Sequence, residues 1–204
     1  MDEAGGDARR HAPAAARNRD AILAALRGVL PAGGTVLEVA SGSGEHAVHL
    51  AAALPHLVFR PSDPDPGARR SIDAWVAATG AANVRAALAL DAASPPWPVG
   101  AAGAVLCINM IHIAPWGATT GLMRGAAAVL APGAPLVLYG PFRRGGAHTG
   151  PGNAAFDAEL RARDPAWGVR DLEAVADAAR EHGFGPPGVT GMPANNLLVV
   201  FRRG

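Results

Sequence analysis

The amino-acid sequence predicts an α/β protein with a doubly wound, Rossmann-like sheet of seven strands, mostly parallel, with one antiparallel strand near the C-terminus. Short apolar runs rich in β-branched residues alternate with stretches of helical spacing along most of the 204 residues. A turn of small residues joins the first such run to a helix. Only residues 191–196 connect the last two runs, which is too short for a helical crossover, so these strands must be antiparallel.

The order of the elements follows from this alternation. The predicted helices span about residues 18–29, 45–54, 67–79, 117–130, 154–161 and 171–181. The predicted strands span about residues 36–39, 56–60, 84–90, 104–109, 135–139, 187–191 and 197–201. Residues 1–14 have no period and are predicted as a disordered tail, which leaves 15–204 as one domain. Residues 140–170 are rich in Gly and Arg and are predicted to form a cap over a ligand cleft.

Composition and charge exclude several classes of function. Eighteen basic residues, all arginine, stand against 17 acidic residues, and a net charge of +1 favours neither nucleic acid nor a membrane surface as a partner. Cys107 is the single cysteine, so an intramolecular disulfide framework is excluded. The N-terminus has no basic segment followed by an apolar one, as a secretory signal would. We therefore expect a cytoplasmic monomer or homodimer that acts on a small molecule.

The turn between the first strand and the next helix is the most informative segment. Gly42 and Gly44 can adopt positive φ and carry no Cβ, so a ligand can lie against the backbone. The N–H groups of the following helical turn then point at that ligand. Glu38, at the strand end, suits an ammonium group such as that of S-adenosylmethionine (SAM) and would be a poor neighbour for a pyrophosphate. An ordinary strand-to-helix turn is the alternative interpretation.

The spacing of this segment is close to a known pattern. Residues 38–44 resemble the E/D-x-G-x-G-x-G sequence of class I SAM-dependent methyltransferases, with Ala40 in place of the first glycine. A nicotinamide-binding domain would instead place its first glycine directly after the strand and would normally end on a parallel strand. The segment therefore favours SAM, and the antiparallel terminal pair points the same way.

Polar residues at the ends of the following strands extend this predicted site, because ligands of open α/β sheets bind at the carboxyl ends of strands. Asp63 is predicted to accept hydrogen bonds from the ribose hydroxyls, and Asp91 from the adenine amino group. Each has a plain alternative as a turn or helix-capping aspartate. Asn109 ends the fourth strand, where it would border the transferred methyl group.

Two residues are candidates for orienting or deprotonating a methyl acceptor. His112 follows the fourth strand and could act as a general base, although a packed structural histidine is the alternative. Tyr139 ends the fifth strand. His46 and His49 lie at i and i+3 on a helix, but no third ligand with metal spacing accompanies them, so no metal site is predicted.

The predicted cap contains candidates for binding a substrate. Arg143 could hold an acidic group, and His148 lies in the same polar segment. The alternative is a solvated loop whose arginines pair with Asp157 and Asp164.

Taken together, these segments resemble a family of class I SAM-dependent methyltransferase-like proteins classed as a domain of unknown function. The resemblance rests on residues 37–46, 61–63, 109–116, 138–142, 153–157, 167–171 and 192–197. It implies the class I methyltransferase fold, SAM as cofactor and one pocket lined by polar side chains. Those side chains are Arg17, Asn18, His112, Tyr139, Asn153, Asp157 and Asn195.

The sequence therefore predicts a SAM-dependent methyltransferase that transfers a methyl group to an O, N or S atom of a small molecule. One alternative keeps SAM but uses another part of it, for example in an intramolecular cyclisation of its aminobutyl arm. A non-catalytic SAM-binding protein is a further alternative.

Overall fold

A computed structural model describes residues 7–204. The strands are β1 Gly34–Val39, β2 Leu57–Ser62, β3 Ala104–Ile108, β4 Pro135–Arg144, β5 Ala147–His148, β6 Arg170–Asp171, β7 Gly188–Met192 and β8 Asn196–Arg202. The helices are α1 Pro13–Leu26, α2 Glu45–Ala53, α3 Pro66–Thr79, α4 Trp116–Val129, α5 Pro151–Arg163 and α6 Leu172–Glu181. A 3₁₀ turn, Met110–His112, follows β3, and a second, Pro193–Asn195, precedes β8.

The strands form one sheet in the order β2-β1-β3-β4-β8-β7. The four strands from β2 to β4 are parallel, and β8 is antiparallel to both β4 and β7. The two-residue strands β5 and β6 pair with the C-terminal part of β4. The prediction of a mostly parallel sheet with a reversed strand near the C-terminus is thus confirmed.

Both faces of the sheet are covered, as parallel strands require. Val36, Leu106 and Val137 belong to the core under α1 and α2, whereas Leu37 and Leu138 belong to the core under α4 and α6. Successive residues of each strand therefore point into opposite cores. Glu38, Asp63 and Asn109 lie at the carboxyl ends of β1, β2 and β3, on one edge of the sheet. None of the helices in the described part of the chain is both long and apolar enough to cross a membrane.

One predicted strand does not form. Residues 84–90 make only isolated bridges to β2, at Val84 and Leu88, beyond the edge of the sheet. Three of the seven residues are alanines, Ala86 among them, and offer too little side chain to pack a continuous strand. The segment still contributes backbone hydrogen bonds, since Leu88 N donates to Pro61 O at 3.0 Å and Leu88 O accepts from Asp63 N at 3.0 Å.

Two predicted boundaries are corrected by the structure. The disordered tail predicted for 1–14 is wrong for residues 10–14, because Arg10 and Ala12 are hydrogen bonded to side chains and α1 begins at Pro13. Residues 1–6 of that tail lie outside the described part of the chain. Strand β4 continues to Arg144 instead of ending at Tyr139, because β5 and β6 pair with its extension.

Candidate functional site

The turn after β1 has one closed and one open side. Gly44 has φ +93°, and a Cβ there would lie 2.7 Å from Ile72 Cα, so only glycine lets α2 and α3 approach this closely. Gly42 has φ +58°, and no described atom lies within 4 Å of where its Cβ would be. The turn is therefore backed by α3, and the Gly42 side is free for a ligand.

Asp63 joins the end of β2 to this turn. Its Oδ2 accepts a hydrogen bond from Gly42 N at 3.0 Å, and its Oδ1 accepts from Asp65 N at 3.0 Å. Asp65, two residues later, is the N-cap of α3 and accepts from the backbone N–H groups of Gly67 and Ala68. The two aspartates therefore have different roles. Asp65 caps α3, whereas Asp63 binds the backbone of the turn.

Glu38 is a buried acid with a free oxygen. Its side chain is 1% exposed, and its Oε2 has no hydrogen-bond partner among residues 7–204. Burial raises its pKa from 4.5 to about 7, the charge of Asp63 adds to this rise, and a hydrogen bond from Ser41 opposes it. An ammonium group next to this oxygen would satisfy it and favour the carboxylate. The site therefore fits the methionine part of SAM.

Two serines that sequence reasoning missed fix the end of β1. Ser62 Oγ donates to Glu38 O at 2.8 Å, and Ser41 Oγ donates to the same oxygen at 3.2 Å. Both serines are buried. The small residues next to Gly42 and Asp63 were the available signal, since a hydroxyl beside a strand end commonly bonds to the backbone.

Two predicted residues, Asn109 and His112, converge at the carboxyl ends of β3 and β4. Asn109 adopts a left-handed conformation with φ +60° directly after β3, and His112 follows in the 3₁₀ turn. A Cβ on Gly140 of β4 would lie 2.4 Å from His112 Nε2 and 3.0 Å from Asn109 Oδ1. Glycine at 140 therefore makes room for both side chains.

His112 is a neutral imidazole at physiological pH. It is 1% exposed, and neither ring nitrogen has a hydrogen-bond partner in the described range. Burial and the nearby Arg170 guanidinium lower its pKa to about 3, and Asp157 opposes the shift. Phe142, which sequence reasoning did not single out, packs edge-on against the ring with centroids 5.3 Å apart. This histidine is held in place by packing and is a weak proton acceptor.

A second polar cluster lies on the other face of the sheet. His46 Nε2 and Asn18 Oδ1 are 2.8 Å apart, which links the first turn of α2 to α1. Burial lowers the pKa of His46 to about 4. Burial also raises the pKa of Tyr139, and a hydrogen bond with Asn18 opposes that shift. The structure thus brings Asn18 and Tyr139 together, while Arg17 on the same helix is exposed.

The polar residues of the segment predicted as a cap, residues 140–170, form their own network. Asp157 is buried and accepts from Val169 N at 2.7 Å, and its Oδ2 lies 3.4 Å from His148 Nε2. Asn153 Nδ2 donates to Asn195 O at 3.0 Å. This hydrogen bond ties α5 to the turn before β8, so Asn195 contributes its backbone carbonyl, and its side chain is exposed.

Two buried nitrogens of the cap keep a free hydrogen-bonding position. Arg143 pairs with Asp171 at 3.5 Å, and its Nε has no partner in the part of the chain described. His148 Nδ1 is buried and equally unpartnered within residues 7–204. Arg143 and His148 are opposite each other across the β4–β5 pair, so their side chains share a face.

The carboxylate of Asp91, a predicted cofactor residue, binds groups of its own turn. It is exposed and accepts from Ala93 N at 2.9 Å and from Ser94 Oγ at 3.1 Å, so it closes its own turn. Within residues 7–204, no group of three or more His, Cys, Asp or Glu side chains is arranged to hold a metal ion.

Comparison with known proteins identifies the fold and the family. A family profile described as "Protein of unknown function (DUF938)" matches residues 9–203. The apo structure of SibL, an S-adenosylmethionine-dependent methyltransferase, is 26% identical with a TM-score of 0.76, over 93% of this chain and 55% of that one. Human N-acetylserotonin methyltransferase in complex with SAM is 15% identical with a TM-score of 0.75, over 94% and 53%.

An O-methyltransferase family 2 protein from Planctomyces limnophilus in complex with apigenin is similar to the same degree. It is 19% identical with a TM-score of 0.74, over 91% of this chain and 62% of that one. The chain therefore spans only 53–62% of the length of these three proteins. These similarities confirm the class I methyltransferase fold.

Proposed function

The chain belongs to the DUF938 family and has the class I methyltransferase fold, and from this starting point we propose that it is a SAM-dependent methyltransferase acting on a small molecule. One observation carries the proposal. The turn after β1 is open at Gly42, where Asp63 accepts from the backbone N–H and the buried Glu38 oxygen has no partner among the described residues. We assign the Glu38 oxygen to the ammonium group of SAM, and Asp63 to its ribose.

In this proposal, the residues around the turn bind the cofactor. Glu38 accepts from the ammonium group, Asp63 from the ribose hydroxyls, and Gly42 and Gly44 let the ligand lie against the backbone. Asn109 borders the reacting centre at the end of β3. Asp91 is exposed and already accepts two hydrogen bonds within its own turn, so we expect its contribution to be the smallest. SAM would supply a methyl group bound to a sulfonium. An acceptor atom would attack the methyl carbon in line, and S-adenosylhomocysteine would leave.

The acceptor is held on the other side of the cleft. His112 and Tyr139 are both neutral at pH 7, because the pKa of the first is lowered to about 3 and that of the second is raised. His112 and Tyr139 lie on opposite faces of the sheet, so they would orient an acceptor from different sides through hydrogen bonds, and proton removal would contribute modestly. The polar cap residues Arg143, His148, Asn153 and Asp157 enclose the substrate. The apigenin complex of the Planctomyces protein supports a small-molecule acceptor.

A calorimetric titration tests the cofactor. The protein is expected to bind SAM and S-adenosylhomocysteine at micromolar concentrations, about −8 kcal/mol, and to bind NADH at least 100-fold more weakly. Tighter binding of NADH than of SAM would overturn the proposal.

Mass spectrometry of the reaction mixture then identifies the part of SAM that reacts. With a panel of phenols, amines and thiols, S-adenosylhomocysteine and a methylated acceptor are expected together. Methylthioadenosine formed from SAM alone would instead establish the cyclisation of the aminobutyl arm. Binding without any product, under conditions where a control methyltransferase turns over, would favour a non-catalytic SAM-binding protein.

A further inference from the structure

Residues 7–12, called the strap below, precede α1 and run past the N-terminal end of α2 and the middle of α3. Arg10 N donates a hydrogen bond to Ser71 Oγ at 2.7 Å, and Ala12 N donates to Glu45 Oε2 at 2.7 Å. Trp75 Nε1 donates to Arg10 O at 3.0 Å. The strap is therefore anchored through its own backbone to three side chains of α2 and α3.

Two of these side chains also hold the glycine turn. Ser71 Oγ donates to Ser43 O at 2.7 Å, and Ser43 Oγ donates to Glu45 Oε2 at 2.9 Å. Ser71 is fully buried and Glu45 is 7% exposed. Both N–H groups of the strap are thus one side chain away from Ser43, which lies between Gly42 and Gly44.

The strap lies on the closed side of the turn. Ile72, which backs Gly44, follows Ser71 directly on α3, whereas the Gly42 side is open. We propose that the strap is a positioning segment of the SAM site, which acts through Ser71 and Glu45 to hold the turn in its binding conformation. The proposal rests on the proposed function, since it assigns the strap to the same cofactor site.

The physical basis is the orientation of a single hydroxyl. A serine Oγ has one hydrogen to donate and two lone pairs to accept with. When Arg10 N–H occupies a lone pair of Ser71, the hydroxyl hydrogen is directed at Ser43 O. Without the strap, the Ser71 rotor is free and Glu45 loses one of its two donors. The turn then has to be ordered when SAM binds, which lowers affinity.

A matched pair of variants of the full chain isolates this contact. Arg10→Pro removes the N–H that reaches Ser71, while Arg10→Ala keeps it and removes only the exposed pair with Asp65. The loss of one such hydrogen bond predicts that Arg10→Pro weakens SAM binding by about 5-fold, with Arg10→Ala within about 2-fold of wild type. Ser71→Ala, which removes the link on the other side, is expected to weaken SAM binding at least as much as Arg10→Pro.

Amide hydrogen exchange of Gly42 and Gly44 in the ligand-free proteins gives a second readout. The proposal predicts faster exchange in Arg10→Pro than in Arg10→Ala. If wild type binds SAM and all three variants match it in affinity and in exchange, the strap proposal is wrong and the proposed function stands. If wild type does not bind SAM, the proposed function fails, and the exchange rates still decide whether the strap positions the turn.

Discussion

The region proposed to bind the cofactor, residues 34–79 and called the cofactor half below, and the predicted cap, residues 140–170, differ in which of their polar groups have partners in the protein. In the cofactor half, the carboxylates of Glu45, Asp63 and Asp65 each accept from a backbone N–H group. In the cap, buried nitrogens of Arg143 and His148 have no partner among the described residues. The three carboxylates are thus held in place before a ligand arrives, whereas Arg143 and His148 keep hydrogen-bonding capacity that an acceptor could use.

Glu38 differs from these three carboxylates. It lies in the cofactor half, yet its buried Oε2 is unpartnered within residues 7–204. Its position is the one at which the ammonium group of SAM is proposed to bind. In this account, the Glu38 oxygen that has no partner among residues 7–204 is for the cofactor, and the Arg143 and His148 nitrogens are for the substrate.

The largest expected effect is on the closed side of the turn. Gly44→Ala combines a strained positive φ with a Cβ only 2.7 Å from Ile72 Cα. We expect it to lower the free energy of unfolding by about 2–5 kcal/mol in a urea titration. Gly42→Ala is the matched control, because its φ is also positive but its Cβ points into open space.

Gly42→Ala should cost only about 1–2 kcal/mol of stability and should weaken SAM binding. Equal losses of stability in the two variants would show that the turn is not backed by α3 as described.

The next effect is a pH dependence that Glu38 contributes. Its folded pKa is raised from 4.5 to about 7, so the fold favours the protonated acid. The stability it contributes is present below pH 4.5 and is lost as pH rises through 7, with a total of about 3 kcal/mol. Glu38→Gln should remove that slope from the pH profile of the unfolding free energy.

SAM binding should depend on pH in the opposite sense. The ammonium group requires the carboxylate, so wild-type affinity is expected to rise as pH increases through 7, where Glu38 titrates. Calorimetry across this range should find a flat, weaker profile in Glu38→Gln. A wild-type profile as flat as that of the variant would remove Glu38 from the cofactor site.

A substitution in the cap should lower stability without changing SAM affinity. Asp157→Ala leaves Val169 N without its buried acceptor, so we expect a loss of about 1–3 kcal/mol of stability by thermal unfolding. Its SAM affinity should stay within about 2-fold of wild type. Asp164→Ala, whose carboxylate accepts from Ala166 N at an exposed position, is the control and should cost about 0.5 kcal/mol or less. A large loss of SAM affinity in Asp157→Ala would mean that the cap belongs to the cofactor site.

The smallest effect is expected at the N-cap of α3. Asp65→Ala removes the acceptor for Gly67 N and Ala68 N, which should cost about 1 kcal/mol in chemical unfolding. SAM affinity should be nearly unchanged, because the proposed ribose acceptor is Asp63. If Asp65→Ala abolished SAM binding, the division of roles between the two aspartates would be wrong.

The cofactor half was largely predictable from sequence because its signals are local. A β-branched run, two glycines and an acid at fixed spacing define the turn, and α2 begins at Glu45 as predicted. The contact of Asp63 with Gly42 follows from the rule that carboxyl ends of parallel strands meet at one edge. These constraints act within one or two elements, so pattern and spacing are sufficient.

The rest depends on contacts between distant segments. The strap has a tail-like composition, and its order comes from backbone N–H groups that meet Ser71 and Glu45, which lie 61 and 33 residues away. Residues 84–90 have a strand pattern but too many alanines to complete an edge. The extension of β4 beyond Tyr139 depends on pairing with β5 and β6, which are two residues each. The strap and the two-residue strands β5 and β6 have no local periodicity from which they could be predicted.

The central claim is that the turn after β1 binds SAM with Asp63 as the ribose acceptor. Its most direct measurement is the dissociation constant of SAM for wild type, Asp63→Asn and Asp65→Asn, under conditions in which all three proteins are folded to the same extent. Asparagine keeps the size of the side chain and offers one acceptor oxygen in place of two. We predict that Asp63→Asn weakens SAM binding by about 10–100-fold, while Asp65→Asn stays within about 2-fold of wild type. Equal affinities of Asp63→Asn and wild type would contradict the account.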